Sequence, residues 1–351
     1  MSNESVATPT LGVAIIGVGM VSKTYLDAIS KTQLPIKLTG ALGSSADSSQ
    51  RFIESNRLDK EIIAAYKDIE ALLADNSVDF VCLNTPPNAR IELVDALISA
   101  GKPILMEKPI ERSLASARQL VEACQSANLP LGIMLQHRAR PSATLLKRKL
   151  NEESFGELRA AEICVPWWRE QSYYDEPGRG SYERDGGGVM ISQAIHTLDL
   201  ALQFTGDVET VSAFSATTKF HQMEAEDFVN GGLRFINGAV GTAFMSTASF
   251  PGRTESIHLH YENVSVQLES NLLTLSWHDG RTETLGESAA SGAGADPMAF
   301  TSDWHRFMIE NFYEVVLGNA EPIASAESAL QVHRVIDALE RSAHSGTPAN
   351  I

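Results

Sequence analysis

Between Leu11 and Ser30 an apolar run (Leu11, Val13, Ala14, Ile15, Ile16) leads straight into Gly17-Val18-Gly19. A helical pattern follows, with Val21, Tyr25, Leu26 and Ile29 on one side. A buried strand, a glycine turn and a helix in that order form a cradle for a phosphate. Gly17 allows the tight turn, and Gly19 has no side chain to keep an anion off the backbone. The N–H groups of Met20 and Val21, where the helix opens, face the anion. The third fingerprint position, usually Gly or Ala, is Ser22, small enough for close helix–strand packing. A glycine pair also serves many ordinary strand-to-helix turns, so the surrounding chain decides.

Past that turn, strand and helix alternate. The patterns predict strands at Pro35–Leu42, Val78–Leu83, Pro103–Met106 and Leu131–Leu135. Helices are expected at Ser48–Asn56, Asp68–Ala74, Ala89–Ala100 and Ser113–Asn128. This alternation is that of a doubly wound parallel sheet, an α/β Rossmann domain expected over residues 1–136. Ligands of such sheets sit at the carboxyl ends of the strands. The segments there are Gly43-Ser44-Ser45, Asn84-Thr85-Pro86-Pro87-Asn88, Glu107-Lys108-Pro109 and Gln136-His137-Arg138. The expected cofactor contacts are therefore Gly17, Gly19, Met20, Val21, Gly43, Ser44, Ser45, Asn84, Thr85, Pro86, Asn88, Glu107, Lys108 and Gln136. No acid stands at positions 43–45 to take a ribose 2′-hydroxyl and repel a 2′-phosphate; Asp47 is the nearest, and Arg51 follows one turn on. The cofactor is expected to be NAD or NADP, leaning towards NADP or dual use. Lys108, at a strand end and fixed by Pro109, has an ammonium able to polarise a carbonyl or alkoxide. A solvated surface lysine is the alternative.

The second half changes character. Period-2 runs separated by turns cover Val211–Thr218, Phe228–Ile236, Ala239–Ala248, Ile257–Tyr261, Val264–Glu269 and Leu272–His278, with hairpin dipeptides Asn237-Gly238 and Asp279-Gly280. With Leu158–Val165 they predict one large antiparallel sheet in a second α/β domain, residues 137–351. An open sheet needs its bare face covered, which predicts a homodimer or homotetramer through that sheet. Gly286–Gly294 reads as a small-residue loop, and Trp304–Leu317 and Ala324–Ser345 as helices.

Charge and cysteine usage narrow the partners. A net charge of −16 would be repelled by a nucleic-acid backbone or an anionic membrane, so neither is expected. No apolar run is long enough to span a bilayer, and the first ten residues are polar, unlike a signal peptide. Cys82, Cys124 and Cys164 are odd in number and widely spaced, as in a reducing cytosol, and each reads as a small buried hydrophobe. His258 and His260 share a strand face at a spacing compatible with metal, but no cysteine or carboxylate cluster accompanies them, so no metal is expected.

Asp185-Gly186-Gly187-Gly188 bends the chain into an apolar-periodic helix, Val189–Phe204. Ser192, His196 and Asp199 fall on one face of it, with Gln193 one position over. A histidine there can take the proton of a hydroxyl near neutral pH; a hydrogen-bonded core histidine is the other reading. Trp167-Trp168-Arg169, Tyr173-Tyr174, Arg179 and Tyr182 bring together aromatic faces and guanidinium donors, which a polyhydroxylated ring needs and which a packed loop would also use. His305 either closes a pocket or simply opens a helix.

The glycine turn, Thr85-Pro86-Pro87, Glu107-Lys108-Pro109, and Gly186-Gly187-Gly188 with His196 beyond it resemble the glucose–fructose oxidoreductase / inositol dehydrogenase / rhizopine catabolism (Gfo/Idh/MocA) family, from about Leu11 to Gly346. The resemblance implies a Rossmann domain followed by an α/β domain whose large, mostly antiparallel open sheet forms the oligomer contact. It implies an NAD(P)-dependent dehydrogenase of a sugar, cyclitol or sugar derivative, with Lys108 and His196 catalytic. The substrate is expected against Lys108, Arg138, Trp168, Arg169, Tyr173, Ser192, Gln193 and His196. Two departures stand out: Ser192 where many members carry an aspartate, and Arg90 where a histidine is frequent. Three rival activities remain open: glycoside cleavage through transient oxidation by tightly held NAD, a non-catalytic NAD(P)-binding regulatory module, and reduction of a non-sugar ring or imine.

Overall fold

The structure, a computed structural model, describes residues 9–351, so most of the polar opening stretch lies outside the described residues. By contact it divides into two compact units. The first takes the chain up to Glu107, Leu120–Met134 and His305–Ser325; the second takes Lys108–Gln119, Leu135–Trp304 and Ala326–Ile351.

The first unit is built on six strands: β1 (Leu11–Ile16), β2 (Ile36–Leu42), β3 (Ala64–Tyr66), β4 (Phe80–Leu83), β5 (Ile104–Glu107) and β6 (Leu131–Met134). They lie in the order β3-β2-β1-β4-β5-β6, every pair parallel. This is the doubly wound sheet that the alternation predicts. The four central and right-hand strands β1, β4, β5 and β6 are buried along their whole length, which is why they read as unbroken apolar runs. Helices α1 (Ser22–Lys31), α2 (Ala46–Ser55), α3 (Ile69–Leu73), α4 (Ile91–Ser99) and α5 (Leu114–Ser126) alternate with the strands. Strand β3 is absent from the sequence reading, because three residues are too few to show a period. Most of α9 (Asp303–Val316) also belongs to this unit. Its Phe312 meets Phe80 edge-on at 5.6 Å and covers Gly132, where a Cβ would come 3.0 Å from the ring.

The second unit holds a nine-stranded sheet. Its strands are β7 (Leu158–Pro166), β8 (Val208–Ala216), β9 (Phe228–Phe235), β10 (Val240–Ser246), β11 (Ser256–Tyr261), β12 (Val264–Glu269), β13 (Leu272–Trp277), β14 (Thr282–Leu285) and β15 (Ala349–Asn350). The order is β14-β13-β12-β11-β7-β10-β9-β8-β15. All pairs are antiparallel except β7 with β10, so the sheet is mostly antiparallel rather than uniformly so. Helices α6 (Pro141–Glu152), α7 (Gln171–Tyr174), α8 (Ile195–Thr205) and α10 (Ala326–Ser345) complete the unit, with α8 and α10 packed on the sheet. Alternate strand residues face away from them. There Phe214, Phe228 and Phe244 form an edge-to-face row across β8, β9 and β10, with Phe214 62% exposed. Among the described residues no helix is long and apolar enough to cross a membrane.

Candidate active site

In the first unit the glycine turn has the shape its residues demand. Gly17 sits at φ +97°, and a Cβ there would lie 2.7 Å from the main chain at Asn84 and Thr85. At Gly19 the Cβ position meets nothing within 4 Å, so that side of the turn is open. Ser22 is buried and closes the turn, its Oγ donating to the Gly19 carbonyl at 2.5 Å. Helix α1 starts at Ser22, with Val21 as a cap residue that has no side-chain acceptor, and Met20 beside it is exposed. Ser22 N and Thr24 N bond back to the Gly19 and Val21 carbonyls, and no side chain caps the helix start, so an anion can approach it. In the next loop the Asn84 amide is buried, and among the described residues neither of its polar atoms, nor Thr85 Oγ1, has a partner. An uncapped helix start, an open glycine and an orphaned amide fit a phosphate-bearing cofactor with further polar groups. Pro86 and Asn88 are exposed on the same loop.

Arg90 ties that loop down. Its guanidinium donates to the Thr85 carbonyl (3.1 and 2.6 Å) and to the Glu107 carbonyl (2.5 Å), joining the ends of β4 and β5. Arg90 is therefore a brace in this unit, where the family resemblance suggests a histidine. The Glu107 carboxylate accepts from Tyr25 Oη at 3.0 Å and lies 3.9 Å from His305 Nε2. At the end of β2, Ser45 and Ser48 form a capping box on α2, and Ser49 Oγ accepts from Gly43 N at 2.8 Å. Those hydroxyls serve the helix. Ser44 and Arg51 are exposed.

The residues expected against the substrate lie in the second unit. Gly188 is locked against Glu226: a Cβ would fall 1.8 Å from the Glu226 carbonyl. The Glu226 carboxylate accepts from Gly188 N (3.1 Å) and Met190 N (3.0 Å), capping the helix that starts there. Burial pushes this carboxyl above the usual range, and those N–H groups pull it back. The expected helix then opens as a π turn, Met190–Ala194, before α8 proper begins at Ile195. A π turn is a frequent feature of functional sites and changes the face that each side chain presents. Lys108, beside the cis Lys108–Pro109 bond, donates from Nζ to the Ser192 main-chain carbonyl at 2.6 Å. It is thus the peptide oxygen of residue 192 that holds the lysine, one turn ahead of His196. His196 is 7% exposed, and its ring packs on His137 at 5.0 Å.

Around this pair, Gln193 Nε2 donates to Tyr173 Oη at 3.2 Å, and among the described residues Gln193 Oε1 is buried without a partner. Arg169 is buried over the Trp167 and Tyr173 rings and donates to the carbonyls of Trp168 (2.7 Å) and Gly294 (2.6 Å). Trp168 is half-buried among Phe220, His221 and Phe250. Arg138 turns into the core and grips Asp199, so this arginine supports α8. Asp199 is committed to that pair and does not replace the carboxylate missing at position 192. Gln136 is buried, with Oε1 unpartnered among the described residues. His260 lies 3.4 Å from Glu162 on the bare sheet face, and no described group of three His, Cys, Asp or Glu could hold a metal.

The two halves of the chain match two linked family profiles. Residues 11–134 match the oxidoreductase family with an NAD-binding Rossmann fold, and residues 144–267 match the GFO/IDH/MocA C-terminal domain. The chain belongs to the Gfo/Idh/MocA oxidoreductase family. A D-apiose dehydrogenase of Rhizobium rhizogenes is 25% identical, the match covering 82% of this chain and 83% of that one. Among solved structures, the WlbA dehydrogenase of Bordetella pertussis in complex with NADH and UDP-GlcNAcA superposes with a TM-score of 0.81 at 24% identity, covering 98% and 99%. Levoglucosan dehydrogenase in complex with NADH and levoglucosan superposes at 0.84 and 18%, covering 98% and 100%. At those identities the two likenesses establish the fold.

Glu226 and Arg140 are absent from the sequence reading of the site: Glu226 caps Gly188 and Arg140 pairs with Glu255, partners far along the chain that no local pattern announces. Arg90 and His137 are named there, but without the roles described above.

Proposed function

We propose that the protein is a cytosolic NAD(P)-dependent dehydrogenase of a ring carbinol in a sugar, cyclitol or sugar derivative. The observation that carries the reading is the Lys108 ammonium bonded to the Ser192 carbonyl one turn before His196. Around it lie a polar side chain with unspent hydrogen-bonding capacity, Gln193, and the aromatic and guanidinium groups of Trp168, Arg169 and Tyr173. That set suits a ligand with several hydroxyls. In the oxidative direction His196 takes the hydroxyl proton on its imidazole, whose ordinary pKa suits the task near neutral pH. Lys108 steadies the oxygen as negative charge builds on it. Ser192 and Gln193 orient neighbouring hydroxyls. A bound nicotinamide supplies the hydride acceptor. Gly17, Gly19, Met20, Val21, Asn84 and Thr85 would hold the cofactor. With no acid at positions 43–45, Ser44 exposed and Arg51 one turn on, NADP or dual use is the favoured assignment. The D-apiose dehydrogenase is named for a sugar, and the WlbA and levoglucosan dehydrogenases hold UDP-GlcNAcA and levoglucosan, which supports the substrate class.

A spectrophotometric screen tests this: NAD and NADP, each against sugars, cyclitols, sugar acids and glycosides. The expected result is reduction of one cofactor with at least one polyol. No turnover with any carbohydrate, despite measurable cofactor binding, removes the reading. The row of Phe214, Phe228 and Phe244 further supports a homodimer or homotetramer joined through the open sheet, and sedimentation of a monomer refutes it.

A further inference from the structure

A buried chain of side chains in the second unit ends on His196. The short turn after β6, Gln136–Ala139, places His137 with its ring tilted 33° on the His196 ring. His137 Nε2 is in hydrogen-bonding contact with Arg140 Nη2. Arg140 in turn pairs with Glu255 at 2.7 Å and lies flat on Trp304, 4.3 Å from the ring centroid. The other oxygen of Glu255 accepts from Trp167 Nε1 at 3.2 Å. All six residues, His196 included, are buried.

The chemistry of these donors fixes a proton. A guanidinium has only N–H groups and no acceptor, so its contact with Nε2 requires a lone pair on that nitrogen. His137 is then neutral, with its hydrogen on Nδ1. Charging it would set an imidazolium N–H against a guanidinium N–H in a dry site. Charged groups beside it include Arg138, paired with Asp199, and Lys108, whose Nζ bonds the Ser192 carbonyl four residues before His196. We infer that His137, locked by Arg140 as the neutral Nδ1–H form, is the positioning residue of His196 and supplies the orientation that a carboxylate at position 192 would otherwise give. Ring-on-ring contact fixes the plane of the His196 imidazole, and the lock keeps a second positive charge away when His196 takes its proton. The inference rests on the reading of His196 as the base.

Long-range 15N–1H spectra of the full-length protein, with the His137 signals assigned by their loss in His137→Phe, test the lock directly. The expected result is a neutral Nδ1–H ring that does not titrate from about pH 5.5 to 8.5. In Arg140→Gln the same ring should titrate near the ordinary imidazole value of about 6.5. Titration of His137 in the unaltered protein overturns the inference. The kinetic arm uses whichever polyol the screen finds. His137→Ala should lower kcat about tenfold or more with KM within about twofold, and His137→Phe, which keeps a ring, should recover most of that loss. An unchanged kcat in His137→Ala also overturns it. If no polyol is turned over, the dehydrogenase reading falls, and the spectra alone decide whether His137 is locked.

Discussion

Arg138 and Asp199 hold each other in a two-pronged ion pair, Nε to Oδ2 at 2.7 Å and Nη2 to Oδ1 at 2.6 Å, with both side chains 1% exposed. Ser328 Oγ accepts a further bond from the same guanidinium at 2.8 Å. The pair joins the turn after β6 to the middle of α8, the helix that carries His196. Removing one partner leaves a buried charge without compensation. Arg138→Met or Asp199→Ala should therefore lower stability by about 3–5 kcal/mol, read as a shift in the urea midpoint. An effect below about 1 kcal/mol would show that the site is hydrated and the pair dispensable.

Lys108 and His196 are expected to matter for chemistry and little for cofactor affinity. Lys108→Met and His196→Asn should each reduce kcat by about two orders of magnitude or more, while NAD(P)H fluorescence titrations move little. Near-normal turnover in either variant removes that residue from the mechanism.

The two glycines of the first turn separate fold from binding. Gly17→Ala forces a Cβ into the Asn84–Thr85 backbone at a positive φ, so its melting temperature should fall. Gly19→Ala meets open space, so it should fold as the unaltered protein does and weaken cofactor binding about tenfold or more. Equal melting losses in both variants would contradict this division.

His221 sets up an alkaline limit. Its Nδ1 lies 2.6 Å from Asp227 and its Nε2 2.8 Å from the Arg169 carbonyl, two acceptors that together call for the doubly protonated ring. Burial pulls its pKa down, but the hydrogen bonds to Asp227 and Arg169 outweigh that and hold it above the ordinary value. A raised folded-state value means that the contribution is complete below about pH 6.5, where the unfolded chain is also protonated. It is lost as pH rises through the folded value. The melting temperature should fall between about pH 6.5 and 9 more steeply in the unaltered protein than in His221→Gln. Parallel curves would refute the assignment.

What the sequence made legible follows from how local each signal is. The parallel sheet is visible because β1, β4, β5 and β6 are buried on both faces and read as apolar runs. The hairpins at Asn237-Gly238 and Asp279-Gly280 are visible because each turn needs a glycine at positive φ, and both glycines have one. The parallel pairing of β7 with β10 is not, since no residue in either strand encodes its neighbour's direction. The π turn at Met190–Ala194 is hidden for a similar reason: its cap, Glu226, lies 36 residues from Met190 along the chain. Lys108 and His196 stand out by motif, whereas Arg138, which pairs with Asp199, and His137, which packs on His196, look like ligand-binding or ordinary loop positions. Arg138 illustrates the difficulty: an arginine at a strand end reads as a substrate clamp until its carboxylate partner is known.

The contribution of α9 to the first unit constrains any attempt to work with that unit alone. A fragment stopped after β6 would lack Phe312 and leave Phe80 and Gly132 without that cover, because α9 is made only after strands β7 to β14 of the other sheet. On the ribosome the parallel sheet therefore stays without this cover until α9 has been made, long after β6.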